Sequence, residues 1–368
     1  MTNMLDYIAW RGDLSFVLDP VNEIDNLIFS TLAYLHMDDL IAPEEKITIE
    51  ELYSRYKAAG EIPLTTLYDP APLLTAAAAS RRFRNVICRD YESITDEKTH
   101  LQFSAVIFEI GAGTVFAAFR GTDFSMTGWR EDFYMTTDTE IPAHRTSVDY
   151  LNRTCGRGVR RIYAGGHSKG GNLAVYAGAF SSLSIRRKIR CIYSNDGPGF
   201  LDNILHTKEM QRVFRKTVHI VPENSIIGLL LPNQADPLIV RTSKKVMESH
   251  DPYSWNVKGN TFERAKELAA VSVFMIDVFN RWLSSISDEK RKMFIDTIFD
   301  ACIEAGIKST LQLHENPVAT YSALLSALNK TDPEMKKLVS DLVVQLGKTG
   351  SGAFVEEIMK VFHKEKNE

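Results

Sequence analysis

Cysteine is scarce and scattered. The 368 residues hold four, Cys88, Cys155, Cys191 and Cys302, with no Cys-x-x-Cys pair among them. That spacing argues against the common structural zinc patterns, although four cysteines could in principle pair. A reducing, cytoplasmic compartment is expected, and Cys191, inside the largely apolar run Ile189–Tyr193, reads as a small buried hydrophobe. Long apolar runs are also lacking. The most apolar stretch, Leu268–Phe279, contains Asp277 and is soon followed by Arg281, well short of the ~20 residues that span a bilayer. No integral membrane segment is expected, and the opening MTNMLDYIAWRGD, acidic early and without an apolar core, is not a secretory signal. There is no basic excess: 43 Lys and Arg stand against 47 Asp and Glu, a net charge of −4. No nucleic-acid partner follows from that balance, and the cluster Arg186-Arg187-Lys188 reads as a solvated helix end. Internal repeats and low-complexity tracts are absent. What remains, 44% hydrophobic and 24% charged residues, is ordinary for a globular chain long enough for one large α/β domain plus an added element, or for two domains.

The chain divides into three parts. Residues 1–82 look helical and acidic, with Ile24, Leu27, Ile28, Leu32 and Leu35 at helical spacing. Ile41–Leu74 is polar with scattered prolines and reads as a lid, a cover or a connection. Residues 83–258 alternate: β-rich runs at Phe103–Ile110 and Thr114–Phe119 joined by Gly-Ala-Gly, a helix at Val148–Cys155, a strand at Val159–Gly165, a helix at Asn172–Phe180, and strands at Ile189–Ser194, Thr217–Val221 and Leu238–Thr242. Such alternation predicts a mainly parallel sheet covered on both faces. Residues 259–368 form a helical extension, with helical spacing over Phe262–Ile286, Lys290–Ala305, Pro317–Leu328 and Pro333–Leu346 and a last helix from Ala353.

Gly166-His167-Ser168-Lys169-Gly170 matches G-x-S-x-G. It follows an apolar strand and precedes the helix-forming run Leu173-Ala174-Val175-Tyr176-Ala177, the strand–turn–helix setting of an α/β-hydrolase nucleophile. A serine on so sharp a bend needs small neighbours two positions away, which Gly166 and Gly170 supply, and Gly171 extends the tight packing. The helix start brings free N–H groups and positive partial charge to a developing oxyanion. The bland reading is a glycine-rich turn that merely begins a helix. Upstream, Ala118-Phe119-Arg120-Gly121-Thr122-Asp123 ends a strand. Thr122 is placed there to offer its backbone N–H, with its hydroxyl as a further donor, and the Lys169 N–H makes the other half of the oxyanion hole.

Phe119-Arg120-Gly121-Thr122, Trp129, Asp132 and Gly166–Gly171 together resemble the class 3 (fungal-type) lipase pattern over about residues 83–255. In that family the residue after Arg-Gly builds the oxyanion hole and the serine of GHSxGG is the nucleophile. The runs Asp6–Leu14 and Asn195-Asp196-Gly197-Pro198-Gly199-Phe200 are similar to a bacterial family of lipase-like proteins, over nearly the whole chain. Two positions depart from the lipase pattern. Lys169 stands where lipases usually carry leucine, which predicts a more polar pocket entrance. Ser225, in Ser225-Ile226-Ile227-Gly228, stands where the triad acid is expected.

In this fold the order is Ser, acid, His. His36, His100 and His144 precede the serine, His167 adjoins it, His206 sits in a polar segment, His219 lies inside a strand, and His314 and His363 lie in the helical tail. His250 remains, opening the turn-rich His250-Asp251-Pro252-Tyr253-Ser254-Trp255, which also looks like the histidine loop of the bacterial family. Two acids compete: Asp196, at a strand end with a rigid Gly-Pro-Gly behind it, and Glu223, one strand later. Asp196 is preferred, and Asp202 and Asp251 stand behind both.

The expectation is therefore an α/β-hydrolase fold with a Ser-His-acid triad that cleaves esters, with a small acyl-ester or lipid substrate and no metal or organic cofactor. The alternative is an inactive hydrolase-fold protein that binds a lipid or protein partner, motivated by Ser225 at the acid position. An acyltransferase or thioesterase on the same triad is a third reading. Acyl chain length, leaving group and oligomeric state are not legible.

Overall fold

Alternation of buried side chains along two neighbouring strands sets the architecture. In the computed structural model, which describes residues 2–315 apart from Glu61, Pro63 and Leu67, together with Pro333, Lys336 and Lys337, Phe103, Ala105 and Ile107 face one core layer while Val106 and Phe108 face another. The next strand repeats the pattern, with Val115, Ala117 and Phe119 on the first side and Phe116 and Ala118 on the second. A strand side chain reverses face at each residue, so this sheet is covered on both sides.

Eight strands form it: β1 (Lys46–Thr48), β2 (Ile87–Asp96), β3 (Leu101–Gly111), β4 (Thr114–Phe119), β5 (Arg161–His167), β6 (Ile189–Asn195), β7 (Thr217–Pro222) and β8 (Pro237–Val240). They lie side by side in chain order. Pairing is antiparallel from β1 to β4 and parallel from β4 to β8. This is an α/β fold with a mainly parallel central sheet, as the alternation of elements predicts.

Helices α1 (Met4–Arg11), α2 (Glu23–Leu32), α3 (Ile49–Ala59) and α4 (Ala71–Ala79) come from the N-terminal part. Asn3 and Asn22 start the first two with capping boxes closed by Asp6 and Asp25, which satisfy amides that have no partner inside the helix. Met4, Tyr7, Ile24, Leu27, Ile28, Leu73 and Leu74 pack in one core with Val106, Phe108 and Phe116. The opposite face carries α5 (Met126–Tyr134), α6 (Pro142–Thr154) and α7 (Lys169–Phe180), and the helix Asp288–Glu304 adds Ile295 and Phe299 to that core.

Three local expectations change. Residues 1–82 are not all helical, because Lys46–Thr48 pairs with Ile87–Arg89 as an edge strand. The ten residues of β2 form a strand that the hydropathy pattern hides: a register shift between Arg89 and Glu92, with Asp90 at φ 50°, breaks the period-2 signal as a bulge does. The helix expected to begin at Phe262 begins at Ala270, because Thr261–Phe262 pairs with Val257–Lys258 and buries Phe262 against Trp255 at 5.7 Å. The helices expected over 317–328, over 333–346 and from Ala353 lie outside the described residues but for Pro333, Lys336 and Lys337. Among the described residues no helix is long and apolar enough to cross a membrane.

One core histidine makes the fold acid-sensitive. His144 on α6 is 2% exposed, stacks on Tyr176 at 4.0 Å, accepts the Ile141 N–H at Nδ1 and bonds through Nε2 to Asn172 Oδ1 at 2.7 Å. Burial pulls its pKa down to about 4, below the ~6.5 of an unfolded chain. The unfolded chain therefore takes up the proton first, so stability is full above pH ~6.5 and is lost as pH falls toward 4, by about 3 kcal/mol in all. Urea unfolding at pH 7 and pH 5 should show the loss in the wild type and a smaller one in His144→Gln; equal losses would remove His144 as the cause.

Candidate active site

The site forms where β4, β5 and β6 end. Ser168 follows β5 directly and has φ 58° and ψ −134°, a conformation that costs a non-glycine residue energy and persists only where neighbours enforce it. They do so by close approach: a Cβ on Gly170 would lie 2.1 Å from the Phe119 carbonyl oxygen, and one on Gly121 would lie 3.1 Å from Ser168 Cβ. The two glycines let the loop after β4 press against the bend. Ser168 is partly exposed, and its N–H is fixed to the Asn195 carbonyl at 2.9 Å. Neither the Ser168 hydroxyl nor the Thr122 and Lys169 amides have a hydrogen-bond partner among the described residues.

The structure brings Asp196 and His250 together. Asp196 lies just beyond β6 at φ 50°, fully buried, with its N–H on the Ile220 carbonyl at 2.7 Å. Its Oδ2 is 2.6 Å from His250 Nδ1. Its Oδ1 accepts the Ser225 hydroxyl at 2.5 Å and the Gly228 N–H at 3.1 Å. Ser225, which stands where the lipase pattern has its acid, thus holds a carboxylate supplied by the preceding strand. Glu223 points elsewhere, toward Arg241 Nη1 and the Thr242 N–H, both at 3.4 Å. Asp251 pairs with Lys244 at 2.8 Å and caps the next turn through the Tyr253 N–H.

His250 ends a short turn, Val246–His250, with its side chain 21% exposed. Its loop is braced from below by His167. The His167 ring is buried and donates from Nε2 to the His250 carbonyl at 2.8 Å, while the hydroxyls of Tyr68 and Tyr34 lie 2.9 and 3.2 Å from its Nδ1. Burial, reinforced by the neighbouring His250, holds the His167 pKa well below its usual value, so this ring stays neutral and acts as a strut. The Trp255 indole adds a hydrogen bond to the Ser249 carbonyl at 2.9 Å. His167 is legible as part of the G-x-S-x-G motif, but nothing in the sequence marks Tyr34 or Tyr68 as its partners.

Two details of the oxyanion region differ from expectation. The Thr122 hydroxyl is already committed, donating to Asp132 Oδ2 at 2.5 Å, which leaves only its N–H for a ligand. The Lys169 side chain does not reach the pocket entrance. It is 1% exposed and turns inward, with Nζ 2.6 Å from Gln102 Oε1, 3.1 Å from the Gln102 carbonyl and 3.0 Å from Glu131 Oε2. Two carboxylates, Glu131 and Asp132, draw the ammonium below the surface.

A mainly parallel sheet with a strained serine between a strand and a helix, and a buried carboxylate against an imidazole at the next strand end, defines an α/β protein whose candidate site lies at the carboxyl edge of its parallel strands. The chain belongs to the Mbeg1-like family, which matches it over residues 77–300. No curated protein matches the sequence. Among solved structures it is similar to M37 lipase, at 16% identity over 56% of this chain and 69% of that one with a TM-score of 0.33. It is also similar to the lipase of Rhizomucor miehei in its propeptide complex, at 13% identity over 65% of this chain and 81% of that one with a TM-score of 0.36.

Proposed function

We propose that this protein is a serine carboxylic ester hydrolase, esterase- or lipase-like, in which Ser168 is the nucleophile, His250 the general base and acid, and Asp196 the residue that orients the imidazole. The observation that carries this reading is the 2.6 Å contact between Asp196 and His250 Nδ1; the serine that follows the neighbouring strand β5 is held in a conformation its side chain would not choose. With Nδ1–H donated to Asp196, the imidazole keeps its lone pair on Nε2, the tautomer that can accept a hydroxyl proton.

The chemistry then balances as follows. Ser168 Oγ attacks the ester carbonyl while its proton passes to His250 Nε2. The carbonyl oxygen becomes an oxyanion and accepts hydrogen bonds from the Thr122 and Lys169 amides, aided by the positive end of α7. The tetrahedral species collapses, the C–O bond to the alcohol breaks, and His250 returns the proton to the departing oxygen. Water, deprotonated by the same nitrogen, attacks the acyl-serine; the bond from the acyl carbon to Ser168 Oγ then breaks, His250 returns the proton to Oγ, and the acid is released. A thioesterase or acyltransferase would use the same groups with a different leaving group or acceptor. The inactive alternative drew its support from Ser225 in place of an acid. With Asp196 against the imidazole, that ground no longer favours it.

A fluorophosphonate probe tests the proposal. Labelling is expected at neutral pH, and peptide mapping should place the adduct on Ser168. An unlabelled protein, or an adduct on another residue, would overturn it.

A further inference from the structure

Beneath the candidate oxyanion hole lies a buried charge cluster that the acyl-transfer steps do not use. Lys169 Nζ touches β3 through Gln102 and α5 through Glu131, and lies 3.6 Å from Asp132 Oδ1. Glu131 is fully buried and is itself fixed by the Gln102 N–H at 3.1 Å and the Ala143 N–H at 2.8 Å. Asp132 Oδ2 receives the Thr122 hydroxyl, while its buried Oδ1 has no hydrogen-bond partner among the described residues. The ammonium therefore joins the helix that follows the nucleophile to β3 and α5, and through Asp132 to the Thr122 hydroxyl on the loop that follows β4.

We infer that the Lys169 side chain is a positioning residue for this reaction: its buried ammonium keeps Asp132 an acceptor for the Thr122 hydroxyl and thereby fixes the Thr122 amide opposite its own. The inference rests on the hydrolase reading for its catalytic consequence, but not for the tether itself. Lys169 supplies one candidate donor with its backbone and anchors the other with its side chain. A leucine here would leave the buried Glu131 and the half-buried Asp132 with no cation, and such groups protonate or pull away.

The titration behaviour agrees. Burial raises the Asp132 pKa to about 6 even though Lys169 and the Thr122 hydroxyl act to lower it. Lys169 stays charged, because Glu131 and Asp132 more than offset the cost of its burial and hold its pKa above the usual lysine value. The charged or titratable groups facing this pair are Glu131 on α5, Arg120 and Asp123 on the loop after β4, His144 on α6, and Tyr34 after α2. None of these is ion-paired with Asp132; among the described residues its cation is Lys169, at 3.6 Å. A protonated Asp132 competes as a donor for the same contact, so the loop loses its fixed orientation.

The test uses Lys169→Met, Asp132→Asn and the double variant, with two readouts: the rate of fluorophosphonate labelling across pH 5 to 8, and hydrogen exchange of the 120–126 amides by mass spectrometry. Asparagine keeps an acceptor for Thr122 but needs no cation. Lys169→Met is expected to label about ten- to a hundredfold more slowly at pH 7, a fraction of what losing an oxyanion donor outright costs. Its acid limb should move to higher pH, and its 120–126 amides should exchange faster. The double variant should recover most of the rate and the protection. Asp132→Asn alone should lose part of the acid fall seen in the wild type. A Lys169→Met profile that superimposes on the wild type, or a double variant as slow and unprotected as Lys169→Met, would overturn the inference. If Lys169→Met does not fold, the Asp132→Asn profile decides: one identical to the wild type counts against the tether. If the wild type does not label at all, the hydrolase reading fails while the exchange data still judge the tether.

Discussion

Asparagine in place of Asp196 is expected to lower ester hydrolysis about 10⁴-fold, the scale seen when a triad acid is replaced without loss of geometry, and to approach the loss in Ser168→Ala. The direction follows from the hydrogen bonds around the carboxylate. Oδ1 receives two donors, the Ser225 hydroxyl and the Gly228 N–H, so an asparagine must keep its oxygen on that side. Its NH₂ then faces His250 Nδ1, where the native group is an acceptor at 2.6 Å. The imidazole can meet that NH₂ only by moving its own proton to Nε2, the tautomer that cannot take a proton from Ser168. The variant should stay folded, because both internal donors remain satisfied. Ser225→Ala leaves Gly228 in place and should cost only about tenfold, in line with losing one of two hydrogen bonds to a charged group. Glu223→Gln, whose carboxylate bonds to Arg241 and Thr242, should change the rate little. Initial rates with a p-nitrophenyl ester, read beside a melting curve for each variant, decide it. A Glu223→Gln loss exceeding that of Asp196→Asn would reverse the assignment.

The largest expected effect on stability comes from the opposite layer. Arg82 and Asp25 form a fully buried ion pair, with Nε to Oδ1 at 2.8 Å and Nη2 to Oδ2 at 2.5 Å. Asp25 also accepts the Tyr7 hydroxyl at 2.9 Å and the Asn22 N–H at 3.0 Å. Arg82 spends its remaining donors on the carbonyls of Leu14, Asp19 and Pro20 and lies over the Phe16 ring at 4.0 Å. Arg82→Met retains much of the volume but strands a carboxylate in the core and frees three carbonyls. The expected loss is about 3–5 kcal/mol, the range for breaking a buried pair from one side. Urea unfolding measures it. The double variant Arg82→Met, Asp25→Leu removes the stranded charge as well and should recover part of the loss; a loss under about 1 kcal/mol in the single variant would mean the pair behaves like an exposed one.

Much of this was readable in the sequence, and the rest failed for identifiable reasons. The parallel half of the sheet announces itself because β5, β6 and β7 are short apolar runs set between helices. The bend at Ser168 is legible because its steric demands fall on neighbours that must be glycine. Strand β2 is not, since its bulge at Asp90 and its half-buried polar residues erase the alternation that marks a strand. In the sequence Asp196 and Glu223 are separable only by a preference, because both follow strands in the right half of the sheet. What distinguishes them is a bond across 29 residues from Ser225 to Asp196, and no local pattern encodes that. The inward direction of Lys169 is hidden from the sequence for a similar reason. A lysine beside a nucleophile looks solvent-bound until Glu131 and Asp132, on a helix nearly forty residues upstream, are folded beneath it.

The strut under the histidine loop bears on how this protein can be dissected or rebuilt. Tyr34 and Tyr68 hold His167, which holds the His250 carbonyl, and Thr2 and Asn3 reach across to Val257 and Tyr253. A fragment cut to the family's span, from residue 77, would keep every group assigned to the chemistry and lose the floor beneath one of them. The first eighty residues are thus no detachable accessory: protein engineers who trim or graft this fold would have to carry them along, as one carries a keystone with its arch.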